Sequence, residues 1–333
     1  MSTQQTSSAD TPGLGLPDPG SGSGSVPGVE PPHPAARTAP LLVLGSMSFV
    51  QLGLALSRDM FNHFGVGGTT WLRLVFAALI LVSVTRPRIA GKRLRELAAV
   101  ALLGVASGTM TLLMAAALDR IPLALATTIE FLGPFSVALV RSRRALDVLW
   151  AVVAISGVTL LTRLGTGGGG RIDPVGLLLA GVAALCWAAY IVFTSKVGKA
   201  FDGFQGLAIS ILVAAVAVSP FGAREAWRGL SAASDPVQLV LAALGLAVLL
   251  PVAPYVLEMT ALRRMPEHIF SILMSLEPGI SALMGLLVLS QSLAPQQIGG
   301  IACIITASAA ATVVDGRRRR VTTQPQPQSP IQQ

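Results

Sequence analysis

Charge is scarce in this chain: only 12% of its 333 residues are Asp, Glu, Lys or Arg. A soluble domain carries about twice that share. Soluble helices also keep one polar face, whereas the apolar runs here are apolar all round, which means burial on every side. Aromatic residues amount to 5%, and they do not interleave with basic residues as a base-stacking surface requires. The net charge of +8 therefore does not indicate nucleic acid. Three histidines and two cysteines leave no metal-ligand set and no disulfide framework. Cys186 and Cys303 each lie inside an apolar run and read as small apolar residues.

What is abundant is apolar sequence, at 52% of all residues. It falls into runs of bilayer-crossing length, near 40–57, 68–85, 97–118, 122–140, 146–162, 174–194, 203–221, 236–261, 267–289 and 295–314. This predicts an all-α membrane protein with ten transmembrane helices and the lipid bilayer as its surroundings. Residues 1–39 are rich in Pro, Gly and Ser and are expected to be disordered. No basic start followed by an apolar stretch marks a signal peptide. Residues 315–333 form a basic tail, also expected to be disordered.

Lys and Arg in short loops set orientation. With the N-terminus in the cytoplasm, 17 Lys and Arg fall on the cytoplasmic side and 6 on the outer side, while Arg73 lies within a span. The bias alternates at every loop, predicting cytoplasmic N- and C-termini. The halves resemble each other at a shift of 144 residues: LDRIP at 118–122 meets LRRMP at 262–266, and Pro134 meets Pro278. Five spans per half make the second half enter from the opposite side. The fold class is thus two inverted five-helix repeats, a construction associated with alternating-access transporters.

Two carboxylates lie inside spans, Glu130 and Glu277, where a charge costs roughly 2.5–3.5 kcal/mol on insertion scales. Each has a proline near it. Proline lacks an N–H for the carbonyl four residues back, so Pro134 frees the carbonyl of Glu130 and Pro278 that of Met274. Kinks with unpaired acceptors beside carboxylates suit a polar substrate or a proton relay. The alternative is a carboxylate satisfied by a neighbouring helix, with Arg73 as the available partner. Arg73 could equally bind a substrate carboxylate. Thr127 shares a helical face with Glu130 and Pro134. In the ninth span His268, Ser271, Ser275, Pro278 and Gly285 form one stripe and Glu277 points away from it; one face packs and the other meets a cavity. The eighth span holds Pro251 and Pro254, then Tyr255 as a candidate contact and Glu258, which a position near the cytoplasmic end would simply wet. Trp187 and Tyr190 share a face of the sixth span, as site residues or interfacial anchors. Gly104 and Gly108 have the spacing of helix packing. The GTGGGGR loop at 165–171 lacks the Lys-Ser/Thr ending of a phosphate loop. No cofactor or ATPase motif is present, so active transport would draw on an ion or substrate gradient.

IEFLGPFSVALVRSRR at 129–144 and ILMSLEPGISALMGLLVLSQSLAPQQIGGIACIITAS at 272–308 resemble the EFxGP and SLEP segments of the threonine/homoserine exporter group of EamA-domain transporters. Glu130, Gly133, Pro134, Ser275, Glu277 and Pro278 match those motifs. The resemblance covers 41–314 and implies a drug/metabolite transporter fold: a first EamA-like repeat at 40–163, a linker at 164–173 and a second repeat at 174–314. It implies a protein of the bacterial plasma (inner) membrane that is not an enzyme. It further implies export of a small-molecule substrate, an amino acid such as threonine or homoserine, in exchange for protons. One departure is Ser290-Gln291, where the group often has Gly-Glu; this puts a gating or coupling role there in doubt. The sequence specifies no oligomeric state. Three rival readings make distinct demands. Efflux of lipophilic drugs requires an aromatic-rich pocket. A lipid-processing enzyme requires a His, Asp or Lys constellation, and none is evident. A membrane scaffold requires paired carboxylates and no cavity between the halves.

Overall fold

Inside a bilayer the backbone must satisfy its own polar groups, and long apolar runs do so as helices. A computed structural model describes residues 34–88, 91–141, 149–150, 152–154, 156–157, 160, 172–201 and 204–322. Among these there are helices and no strands. The principal elements are α1 (Pro34–Thr85), α2 (Leu94–Leu118), α3 (Leu123–Glu130), α4 (Leu132–Arg141), α5 (Pro174–Ala200) and α6 (Gln205–Ala232). They continue with α7 (Pro236–Ala247), a π-helical turn at Val248–Val252, α8 (Ala253–Leu262), α9 (Glu267–Met274), α10 (Glu277–Leu289) and α11 (Pro295–Thr322). Most of the fifth predicted span, the glycine loop at 165–171 and residues 1–33 lie outside the described residues.

Among the described residues, six helices are long and apolar enough to cross a membrane: Thr38–Thr85, Leu94–Leu118, Pro174–Thr194, Gln205–Ala232, Pro236–Leu262 and Ile269–Leu289, with Leu123–Val137 a shorter apolar helix. The chain is a multi-pass membrane protein. Large side chains such as Leu79, Val84, Leu185, Val216 and Trp227 are exposed on the outside of the bundle, as a lipid-facing surface requires.

The expected loop between the first two spans is not there. Helix continues through residues 58–64, and the chain turns at Gly65 alone, with φ 72° and ψ 172°. That conformation is open to glycine and strained for other residues. The 48 residues of Thr38–Thr85 would measure about 72 Å if straight, more than two hydrocarbon thicknesses, so the bend divides them into two arms. The second arm starts with bare N–H groups; Glu225 of α6 accepts the Gly68 N–H at 3.0 Å. A Cβ on Gly65 would meet that carboxylate at 2.7 Å.

Two tail expectations also change. Helix begins at Pro34, within the segment expected to be disordered, and α11 runs through the basic residues to Thr322. Arginine is a good helix former and suits a helix C-terminus, and no proline interrupts the chain between Pro295 and Pro325.

Helix pairing rests on small residues. α1 packs most extensively on α6, and α2 lies against α5 and α6. A Cβ on Gly104 would meet the Ser210 carbonyl at 2.5 Å, and one on Gly108 the Ala214 carbonyl at 3.0 Å, so the Gly104/Gly108 pair serves helix packing. The fold also repeats its bounds. α3 and α9 start and end 144 residues apart, their N-caps are Pro122 and Pro266, and the helices before them end at Leu118 and Leu262. Outside the apolar core, Asp173 caps α5 through the Val175 N–H at 2.8 Å and pairs with Arg120 at 2.9 Å. The Arg120 hydrogen bond, then the Val175 N–H, hold its carboxyl below the usual carboxylate range.

Replacing Glu225 with Ala should lower stability by about 1 kcal/mol, the usual loss for a helix N-terminal acceptor, and Glu225→Gln should retain most of it. Thermal unfolding of both variants in detergent checks this.

Candidate functional site

The helix breaks and the charges converge on one cavity of about 310 Å³. Its wall combines apolar side chains (Val50, Leu54, Met110, Met114) with Arg73, Glu130, Glu258, Glu277, Trp187, Tyr190 and Tyr255. α2 contributes Ser107, Met110, Thr111 and Met114, while Pro251, Pro254, Tyr255 and Glu258, each 144 positions later, line it from the π turn and α8. Glu130 and Met274, also 144 apart, both line it too.

Local chemistry explains how the carboxylates arrive there. α3 ends at Glu130 because Pro134 has no N–H for the Glu130 carbonyl, and helix resumes only at Leu132. In the second half Pro278 denies a partner to the Met274 carbonyl. The chain tightens to three-residue bonds, Ser275 N–H to Ile272 and Leu276 N–H to Leu273, before α10 starts at Glu277.

The four carboxyl and guanidinium lining groups, Arg73, Glu130, Glu258 and Glu277, differ in their partners. Glu277 accepts from Gln51 Nε2 at 3.3 Å. Glu258 accepts from Ser46 Oγ at 2.6 Å. Arg73 and Glu130 are 6% and 9% exposed and lie within electrostatic reach of each other. Among the described residues neither has a hydrogen bond or an ion pair. The pairing of Glu130 with Arg73 that sequence left open is therefore not made. Glu258, expected as a wetted end group, lines the cavity beside its Ser46 donor.

Tyr190 and Tyr255 line the cavity, with Tyr255 edge-on to Phe204 at 4.9 Å. Trp187 also lines it, edge-on to Phe131, which favours the site reading over an interfacial anchor. Thr127, Pro134, Ser275 and Pro278 do not line it. Thr127 donates to Ser281 Oγ at 2.6 Å, joining α3 to α10 behind the cavity, and Ser275 and Pro278 are buried. Ser275, Pro278 and Gly285 thus belong to the packed face, and Glu277 to the cavity face. Ser281, one turn after Glu277 on α10, is fully buried and meets Thr127 rather than the cavity. Sequence reasoning missed Ser46 and Gln51. Both are fully buried polar residues on the first arm of α1, and polar residues buried inside an apolar run were the available signal.

At the Ser290-Gln291 departure, Ser290 takes a left-handed conformation and ends α10. Gln291 Oε1 accepts the Leu123 N–H at 3.1 Å, capping α3 from the other half. The position keeps a structural tie without its acid. No group of His, Cys, Asp and Glu suited to a metal occurs among the described residues.

Residues 174–313 match the EamA-like transporter family. The threonine/homoserine exporter RhtA of Escherichia coli (strain K12) is 34% identical over 281 residues, covering 84% of this chain and 93% of that protein. The chain belongs to the EamA-like transporter family. RhtA of Salmonella typhimurium (strain LT2) matches equally, at 34% over the same shares. The uncharacterized transporter YvbV of Bacillus subtilis is 29% identical over 154 residues, 44% of this chain and 50% of that one. A solved crystal structure at 18% identity shares the fold, with a TM-score of 0.56 over 85% of this chain and 99% of that chain. Membership places the chain among transporters rather than enzymes.

Within this EamA-like chain, Gly133 lets α4 approach α5, because a Cβ there would overlap the Ala184 carbonyl. A backbone carbonyl cannot swing aside as a side-chain tip can. Gly133→Val should destabilise the protein by roughly 1–3 kcal/mol and cut the monodisperse fraction on size-exclusion chromatography; an unchanged elution profile and melting temperature would refute the close approach.

Proposed function

We propose that the chain is a secondary exporter of a small polar metabolite, an amino acid such as threonine or homoserine, driven by exchange for protons. The observation that carries this reading is the cavity with three carboxylates and one arginine, in a chain 34% identical to threonine/homoserine exporters over nearly its whole length. Such a lining is costly in a membrane unless a polar ligand or water path uses it. A scaffold would have no use for the cavity, and lipophilic cargo would leave its charges uncompensated.

In this proposal two inverted five-helix repeats, 40–163 and 174–314, cross the plasma membrane ten times, with both termini cytoplasmic. The recurrence of helix ends and lining positions at 144 residues supports the repeat, and the loop charges support the orientation. Alternating access comes from rocking one repeat against the other. Glu130 and Glu277 are the carboxylates that exchange a proton for substrate. The role of Thr127, Ser275, Pro134 and Pro278 is to shape the broken helices that carry them.

Efflux of threonine or homoserine from preloaded proteoliposomes, with and without a pH gradient, tests the reading. The gradient should accelerate export, and a Glu130→Gln, Glu277→Gln double variant should lose that acceleration and at least roughly tenfold in rate. Gradient-independent efflux would overturn antiport. Undiminished efflux by the double variant would overturn the carboxylate role.

A further inference from the structure

Of the carboxyl and guanidinium groups in the cavity wall, two are held by protein hydrogen bonds and two are not. Ser46 holds Glu258 and Gln51 holds Glu277. The remaining two are Arg73, on the second arm of α1, and Glu130, at the end of α3; among the described residues neither has a hydrogen-bond or ion-pair partner. They are of opposite sign, they are almost fully buried, and they face the same space. They sense each other's charge without forming a pair.

We propose that Arg73 and Glu130 together recognise the main chain of an α-amino acid, Arg73 binding the carboxylate and Glu130 the ammonium. This deepens the export reading and rests on it. A guanidinium stays charged and offers five donors in a planar fork that fits a carboxylate with two parallel hydrogen bonds. Glu130 adds to its carboxylate a backbone carbonyl that Pro134 leaves without its helical donor, so an ammonium meets two kinds of acceptor at one residue. An α-amino acid carries its two charges one carbon apart and fills the gap between the two side chains with matching signs.

Other cargo leaves a charge unmatched. An amine without a carboxylate leaves Arg73 buried beside nothing. A carboxylic acid without an amine leaves Glu130 so, and adds a negative charge to a wall that already holds three carboxylates. A site whose polar groups are left unpaired by an analogue rejects it far more strongly than a site that merely loses an apolar contact. The volume of about 310 Å³ lies at the small end of ligand pockets, about 300–1,000 Å³, as a single amino acid requires. Selectivity would thus attach first to the main-chain charges, with Met110, Met114 and Trp187 bounding the space left for the side chain.

The test uses the full chain in liposomes. Radiolabelled L-threonine counterflow is measured against L-threoninol, which lacks the carboxylate, and N-acetyl-L-threonine, which lacks the ammonium. In the wild type each analogue should compete at least tenfold more weakly than unlabelled threonine. Arg73→Gln should raise the threonine concentration for half-maximal counterflow at least tenfold and abolish the preference for threonine over threoninol; Arg73→Lys should retain part of that preference. Glu130→Gln should abolish discrimination against the acetylated analogue while leaving that against threoninol. Threonine transport in which threoninol competes as well as threonine, in the wild type, overturns this proposal alone. A wild-type preference that persists in Arg73→Gln does the same. If Arg73→Gln does not fold, the wild-type analogue series and Arg73→Lys decide. Failure of the wild type to move any amino acid removes the export reading and this proposal with it.

Discussion

The hydrocarbon core of a bilayer offers no water to an unpaired backbone group, and the arrangement of this protein follows from that constraint. A helix can be broken at membrane depth only where another part of the protein, or an aqueous space, receives the exposed groups. The breaks here obey it. Gly65 turns the chain where Glu225 accepts the next arm's N–H. The breaks after Glu130 and Met274 fall at residues lining the cavity. Leu123, at the start of α3, gives its N–H to Gln291. Cavity and breaks depend on one another: the prolines create unpaired acceptors, and the acceptors require a polar place to face.

The same constraint shapes the cavity wall. Buried carboxylates need donors or a cavity, and α1 supplies two donors, Ser46 and Gln51, from positions more than 200 residues away in sequence from their partners. The first arm of α1 is thus as much a part of the candidate site as the prolines and carboxylates of the broken helices. Small residues elsewhere, at Gly104, Gly108 and Gly133, bring backbones close enough for these long-range contacts to form. In lipid, such packing replaces the solvent-driven collapse that would gather a soluble core.

Much of this was legible from the residues alone. Glu130, Glu277 and Arg73 announced themselves because a formal charge inside an apolar run is rare and costly. Pro134 and Pro278 marked the breaks because their missing N–H acts on a carbonyl at a fixed distance along the chain. The membership of the family was legible in the same two segments. Ser46 and Gln51 were not, since an uncharged polar residue inside a span is inexpensive and the partner that gives it meaning lies on another helix; Glu258 was visible as a charge, but its place near a span end concealed the cavity it lines. The loop expected at 58–67 failed because polar residues there suggested solvent, whereas a single glycine suffices to reverse direction and the polar stretch stays helical.

Gln291 illustrates how a neutral side chain changes what a contact can sense. Its amide oxygen joins the start of α3 in one half to the end of α10 in the other. An amide neither gains nor loses a proton over the range in which proteins are folded. This clasp therefore has the same strength in acid and alkaline surroundings, and no salt dependence of the kind a carboxylate on a helix terminus would show.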